Sequence, residues 1–249
     1  MNKASSIGFY GKLPCKGDFL QRRVPREFVE VWDAWVQSSL NESKRRLEDR
    51  WLEVYLTSPV WRFVLAAGLC GKDSYAGVLV PSVDRVGRYF PLTIVARWEL
   101  PVCVLQTAFN QERWFDLAES LAREALDATR LDVEEFDRHV IQLANEIEVG
   151  AGRCAGLPAI AQQEDLDYCA CAAHWYLPLT STRSLQATVE AVAIRELERR
   201  LSPLSLWWTE GSERIGAGML CVNGLPEPGG FAAMLSGEQA ESGWTHLGA

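Results

Sequence analysis

The chain is short of the residues that most enzymes use for proton transfer near neutral pH: only 3 His occur among 249 residues. His139 falls in a helical stretch among acids and reads as a solvated position, and His246 falls in the tail. Cysteine is present but in the wrong pattern for a disulfide framework. Its 7 copies are an odd number, scattered at Cys15, Cys70, Cys103, Cys154, Cys169, Cys171 and Cys221, where a secreted scaffold favours an even, clustered set. Long apolar runs are missing as well. The longest candidate, Val60 to Cys70, carries Arg62 and falls well below the ~20 residues of a membrane-spanning helix. Gly11 and Lys12 interrupt the opening before a signal-peptide core could form. Excess positive charge is lacking: 25 basic residues face 33 acidic ones, for a net charge of −8. An acidic surface repels phosphate backbones and anionic lipid headgroups. These absences point to a reduced, cytoplasmic protein that neither binds nucleic acid nor inserts into a membrane.

Catalytic motifs are incomplete wherever they begin. Gly71-Lys72 has the end of a phosphate loop, but Ala66 stands in place of the leading glycine and Asp73 in place of the hydroxyl residue. Gly216-Ala217-Gly218 starts a dinucleotide fingerprint that fails at Cys221. No Gly-x-Ser-x-Gly elbow occurs. Cys169, Cys171 and His174 cluster, yet the one-residue gap between the thiols does not match zinc-ligand spacing, and small residues buried in a strand explain them better. Asp132, Glu134 and Glu135 stand at a helix start, where they complement the helix dipole without any catalytic task. The expectation is a protein without metal or cofactor that is not an enzyme.

What the chain does have is core-forming material. Hydrophobic residues make up 48% and Trp alone numbers 10; large aromatic areas build a core without staples. Ile7 to Tyr10 reads as a strand, followed by an irregular loop through Gly11, Pro14 and Gly17. Pro25 opens a helix whose stripe is Phe28, Val31, Trp32, Trp35, Val36 and Leu40. Trp61 to Leu65, Tyr75 to Val80 and Leu92 to Trp98 read as three successive strands, hence an antiparallel meander. Gln111 to Ala128 is an amphipathic helix and Asp132 to Val149 a less amphipathic one. Gly150, Gly152 and Gly156 mark a boundary. Beyond it come a strand at Tyr168 to Tyr176, a helix at Leu185 to Leu201, a hairpin from Leu204–Thr209 and Arg214–Val222, and a closing helix at Gly229 to Ser236. The fold class is mixed α+β: a largely antiparallel sheet flanked by helices over 1–149, with a smaller α/β half over 150–249 packed on it as one unit.

Two charged stretches stand out. Lys12, Lys16, Arg22, Arg23 and Arg26 form a basic cluster that reads either as a site for a phosphate or an acidic partner or as a solvated loop and helix entry. Between two strands, the Pro81–Pro91 loop gathers Asp84, Arg85 and Arg88 around Gly87. Either Asp84 pairs with Arg85 or Arg88 and ties the loop down, or one arginine stays free as a fork of donors for a partner's carboxylate or phosphate.

These residues carry a family resemblance. Gly8-Phe9-Tyr10-Gly11-Lys12-Leu13-Pro14, then Gly17-Asp18-Phe19 and Arg22, resemble the opening signature of the TagF/ImpM family of type VI secretion-associated proteins. The likeness continues through Trp32-Asp33, Trp35, Trp51-Leu52, Pro59, Trp61-Arg62-Phe63 and Gly77-Val78-Leu79 to the whole of Pro81–Leu92. Past residue 100 it is patchy, at Ser205 to Thr209, Gly224-Leu225-Pro226 and Phe231. The resemblance implies a longin-like fold in the N-terminal half. It implies a bacterial cytoplasmic accessory protein that represses secretion post-translationally by binding, with a forkhead-associated-domain scaffold of the same system as partner. The alternatives are a structural or assembly component of the apparatus, or a small-ligand binder. Some family members carry a fused phosphatase domain, an activity expected here from another chain. The resemblance supplies no catalytic residue. Its matched positions Lys12, Asp18, Arg22, Trp61, Arg62, Asp84, Arg85, Arg88 and Trp207 are candidates for touching a partner or shaping the surface that does.

Overall fold

A computed structural model describes residues 4–99, 101–127, 131–148 and 185–238. The expected strand at Tyr168–Tyr176, the glycine boundary, Cys154, the Cys169–Cys171–His174 cluster and His246 lie outside the described residues.

Alternating apolar residues and β-branched runs become strands, and both faces of each central strand are buried. Seven strands form one sheet: β1 (Ser6–Gly11), β2 (Leu20–Arg22), β3 (Trp61–Leu65), β4 (Ser74–Val80), β5 (Leu92–Trp98), β6 (Leu204–Thr209) and β7 (Gly218–Asn223). Their order is β2-β1-β5-β4-β3-β6-β7, and every pairing is antiparallel. The mixed α+β class and the β3-β4-β5 meander are as the sequence patterns indicate. In β3, Trp61, Phe63 and Leu65 face one layer of helices, while Arg62 and Val64 face the other. β6 pairs with β3 so that Trp207 lies opposite Phe63, and strands from both ends of the chain thereby share one sheet.

Helices cover both faces. On one lie α1 (Arg26–Leu47), α2 (Trp51–Leu56) and the last helix, α7 (Pro228–Ser236). The other carries α3 (Val104–Asn110), α4 (Glu112–Asp127) and α5 (Val133–Gln142), with α6 (Leu185–Arg200) beside α3. On α1 the buried stripe is Phe28, Trp32, Trp35, Val36 and Leu40, extended by Ser39, Ser43 and Leu47. Val31 falls off that stripe and is exposed, because a helix repeat of 3.6 turns it toward solvent. Pro25 stands one residue ahead of the first helical residue, in the extended conformation that enters the helix. α5 is as two-faced as α4, burying Val133, Phe136 and Val140 while Glu134 and Glu135 stay exposed. Asp132 caps α5 by accepting a hydrogen bond from the Glu134 N–H at 3.0 Å.

The face under α1 is an aromatic block. Trp32 and Trp207 stack with centroids 5.9 Å apart, Trp35 and Phe63 lean on the same Trp207 ring, and Phe231 of α7 closes the group edge-on. Such pairs contribute ~0.5–1.5 kcal/mol each beyond area burial. On this face the indole N–H groups find acceptors: Trp32 donates to Thr93, Trp35 to the Pro226 carbonyl, Trp61 to the Met234 carbonyl and Trp207 to Ser205. Gly77 permits this packing. A Cβ there would lie 2.5 Å from both the Phe63 ring and the Ile94 carbonyl oxygen, closer than any side chain tolerates.

Three elements differ from the sequence expectation. β2 forms inside the loop read as irregular, because the edge of β1 offers it free backbone partners. The helix expected from Gln111 is preceded by α3. The partner of β6 begins at Gly218, since Arg214 and Ile215 belong to a turn in which Ser212 N–H bonds the Ile215 carbonyl.

Candidate functional site: two loops joined at Asp84

The Pro81–Pro91 loop is a short hairpin. Val83 bridges Tyr89, Asp84 N–H donates to the Arg88 carbonyl and Gly87 N–H to the Asp84 carbonyl. Gly87 sits at φ +84, a left-handed angle where a side chain would be strained, so the turn requires it. The loop is pinned to the body at its base. Tyr55 donates to the Ser82 carbonyl at 2.9 Å and accepts from the Ser82 N–H at 3.0 Å, and Ser82 Oγ donates to the Lys12 carbonyl at 2.7 Å.

Asp84 is the hub. Its carboxylate accepts from Lys12 Nζ at 2.5 Å, Arg88 Nε at 2.8 Å, Arg88 N–H at 2.9 Å and Val86 N–H at 3.0 Å. Lys12 and Asp84 are only 3% and 4% exposed, so this is a buried ion pair with its remaining lone pairs filled. Burial alone would raise the Asp84 pKa. The hydrogen bonds from Lys12, Arg88 and the turn amides outweigh burial and hold the carboxyl well below its ordinary value.

A second loop, between β1 and β2, lies against the first. Arg85 N–H donates to the Lys16 carbonyl at 3.0 Å, and Arg88 Nη2 donates to the Gly17 carbonyl. Lys12 Nζ, besides binding Asp84, sits 4.9 Å from the centroid of Phe19. Phe19 stands edge-on to Phe90 and stacks on Tyr10, whose hydroxyl donates to Asp33 at 2.6 Å. The pair of loops is therefore fixed from below and bare on top. Exposed there are Lys16, Asp18, Phe19, Arg85, Val86 and Arg88. Phe19 is 46% exposed and Val86 63%, high values for apolar side chains held in ordered turns.

Of the nine candidates, five meet here: Lys12, Asp18, Asp84, Arg85 and Arg88. Lys12 and Asp84 are internal struts, Arg88 is half strut, and the Arg85 side chain has no partner among the described residues. The other four lie elsewhere. Trp61 and Trp207 are buried in the aromatic block. Arg62 is buried on the opposite face, bonding Asp116 and Glu119 of α4 at 2.9 Å each. Arg22 lies 3.6 Å from Glu134 of α5. The rest of the basic cluster is also engaged: Arg23 grips Asp137 with two hydrogen bonds and Arg26 pairs with Glu30. Only Lys16 of that cluster is left without a side-chain partner among the described residues. Sequence reasoning missed Phe19 and Val86 as surface features. The available signal was an aromatic residue two positions past Gly17 in a loop and a valine beside Gly87 at a turn tip.

No described helix is long and apolar enough to cross a membrane. The TagF N-terminal domain, described as type VI secretion system-associated, matches residues 8–143. A solved structure of the Pseudomonas aeruginosa protein PA0076 superposes with a TM-score of 0.76 at 34% sequence identity, covering 98% of this chain and 100% of that one. No curated protein matches the sequence significantly. The chain belongs to the TagF family of type VI secretion system-associated proteins.

Proposed function

We propose, from that membership, that this protein is a cytoplasmic accessory factor that restrains type VI secretion after the machinery has been made, by binding another component rather than by catalysis. Its partner is a further protein of the same system, with a forkhead-associated-domain scaffold the first to test. The observation that carries the reading is the Asp84 hub. Four hydrogen bonds to Asp84, one of them a buried ion pair, hold a loop whose tip shows an exposed valine and an arginine with no side-chain partner among the described residues. Rigid presentation of an unsatisfied charged group and apolar area lowers the entropy lost on association, which suits a docking element.

The test has two arms. Deleting the gene raises effector export if the protein restrains the apparatus, and lowers export if it is a structural part, which would overturn the reading. Arg85→Ala, in a chain that still folds, weakens co-purification of the scaffold and releases secretion in the same way as the deletion. Unchanged export in the deletion strain rejects the regulatory role.

A further inference from the structure

The exposed surface of the two loops has a charge opposite to that of the whole protein. The chain carries a net −8. Here Lys16, Arg85 and Arg88 are exposed against the single carboxylate of Asp18, because the charge of Asp84 is consumed by Lys12 and Arg88 beneath. The same two loops expose two apolar side chains, Phe19 and Val86. The two loops adjoin: a Cβ on Gly17 would lie 3.9 Å from the Val86 side chain, and beneath them Lys12 Nζ reaches both the Phe19 ring and Asp84. The basic cluster at 22–26 adds nothing, since its arginines are taken by Glu134, Asp137 and Glu30.

We infer that this patch docks an acidic segment of a partner protein, whose carboxylates meet Arg85 and Lys16 while one apolar side chain seats between Phe19 and Val86. The inference rests on the proposed function for the existence of a protein partner and adds its chemistry. Carboxylate suits the patch better than phosphate. Arg88 spends Nε on Asp84 and Nη2 on the Gly17 carbonyl, leaving Arg85 as the one complete guanidinium fork on offer. A single fork satisfies a carboxylate bidentately, whereas a phosphate dianion calls for several converging donors. The exposed Phe19 and Val86 give the segment an apolar anchor that a nucleic-acid backbone lacks.

The experiment uses the full chain and a membrane array of synthetic peptides tiling the proteins encoded with the secretion apparatus. Peptides that bind are labelled and titrated by fluorescence anisotropy against wild type, Arg85→Glu and Val86→Ser. Both substitutions lie at exposed positions, and matched thermal unfolding confirms that the variants fold. The expected binders carry Asp or Glu beside a large apolar residue. Arg85→Glu weakens them ~10-fold or more and Val86→Ser by a smaller factor. A peptide with its acids changed to Lys regains binding to Arg85→Glu. The inference is overturned if no acidic-apolar peptide binds, or if both variants bind as wild type does. It is also overturned if phosphatidylglycerol vesicles or a DNA duplex bind with the same dependence on Arg85. If deletion of the gene leaves export unchanged while peptide binding still follows Arg85, the proposed function falls and this inference stands. If the scaffold co-purifies undiminished with both variants and repression persists, the reverse holds.

Discussion

The segment from Lys12 to Arg26 and the loop from Pro81 to Pro91 look alike as sequences: each crowds arginines and a lysine or aspartate into a turn. In the structure they have opposite fates. Each arginine of the first is met by a carboxylate, two of them supplied by α5 from more than 100 positions away: Glu134 for Arg22 and Asp137 for Arg23. In the second, one arginine is met by a neighbour four residues off, and the other is left pointing outward. Whether a surface arginine is available to a partner is thus set by what packs beside it, and spacing along the chain says little about that. The loop differs in a second way. The Asp84 of the loop joins Lys12 in a buried pair, so its charge acts on folding, while the Arg22 and Arg26 pairs of the first segment lie in solvent, where such contacts contribute little.

The largest test of that contrast is Asp84→Ala. It leaves Lys12 buried without a counter-charge and frees both turn amides, so unfolding in urea should show a loss of about 3–5 kcal/mol. A loss near zero would mean that the hub is no strut and that both segments are equally superficial. A smaller effect is seen through pH. The Asp84 carboxyl is held below its unfolded pKa, so its contribution to stability is fully present above that unfolded value, about 3.9, and is lost as pH falls toward the folded one. Wild type should exceed Asp84→Asn in stability at neutral pH, and the gap should close progressively as pH drops below about 5. A gap that is constant with pH would assign the effect to packing and not to charge.

Much of this fold was legible because its long elements are strongly periodic. The alternation of Trp61, Phe63 and Leu65 and the stripe from Phe28 to Leu40 each bury one face against a large sheet or helix, so pattern and structure agree. β2 was not legible, since three residues carry no period and become a strand only by pairing with β1. At the site, the Asp84–Arg88 pair follows from spacing at a turn. Its third member does not: Lys12 reaches Asp84 across 72 positions, brought there because β1 pairs with β5 and the loop precedes β5. Arg62 shows the same limit. Its place in an alternating strand fixes the face it points to, but the two α4 carboxylates that receive it come from the packing of a helix 54 and 57 residues away.

Within the first segment, Arg23 should separate from its neighbours. It makes two bonds to Asp137 and a third, of 2.8 Å, to the Ile7 carbonyl, tying α5 to β1. Arg23→Ala is expected to lower stability by about 1–2 kcal/mol, and a double-mutant cycle with Asp137→Ala should recover most of it as coupling. Arg26→Ala, which removes only an exposed pair to Glu30, should change stability by less than about 0.5 kcal/mol. Equal effects from the two would erase the distinction between a tethering arginine and a solvated one.

The smallest expected effect on folding belongs to Arg85→Ala, and it is the most informative for function. The side chain is exposed and without a partner among the described residues, and the contact this residue makes to the Lys16 carbonyl comes from its backbone, which alanine keeps. Thermal and urea unfolding should therefore match wild type to within about 0.5 kcal/mol. Arg88→Ala, which removes a side chain with two structural bonds, loses contacts to both Asp84 and Gly17 and should be the less stable of the two. If the loop serves docking, the order inverts in a binding assay: Arg85→Ala, the harmless change for the fold, loses more partner than its stability predicts. A variant whose binding loss merely tracks its stability loss would instead make the whole loop a structural element, and the contrast between the two arginine-rich segments would reduce to one of burial alone.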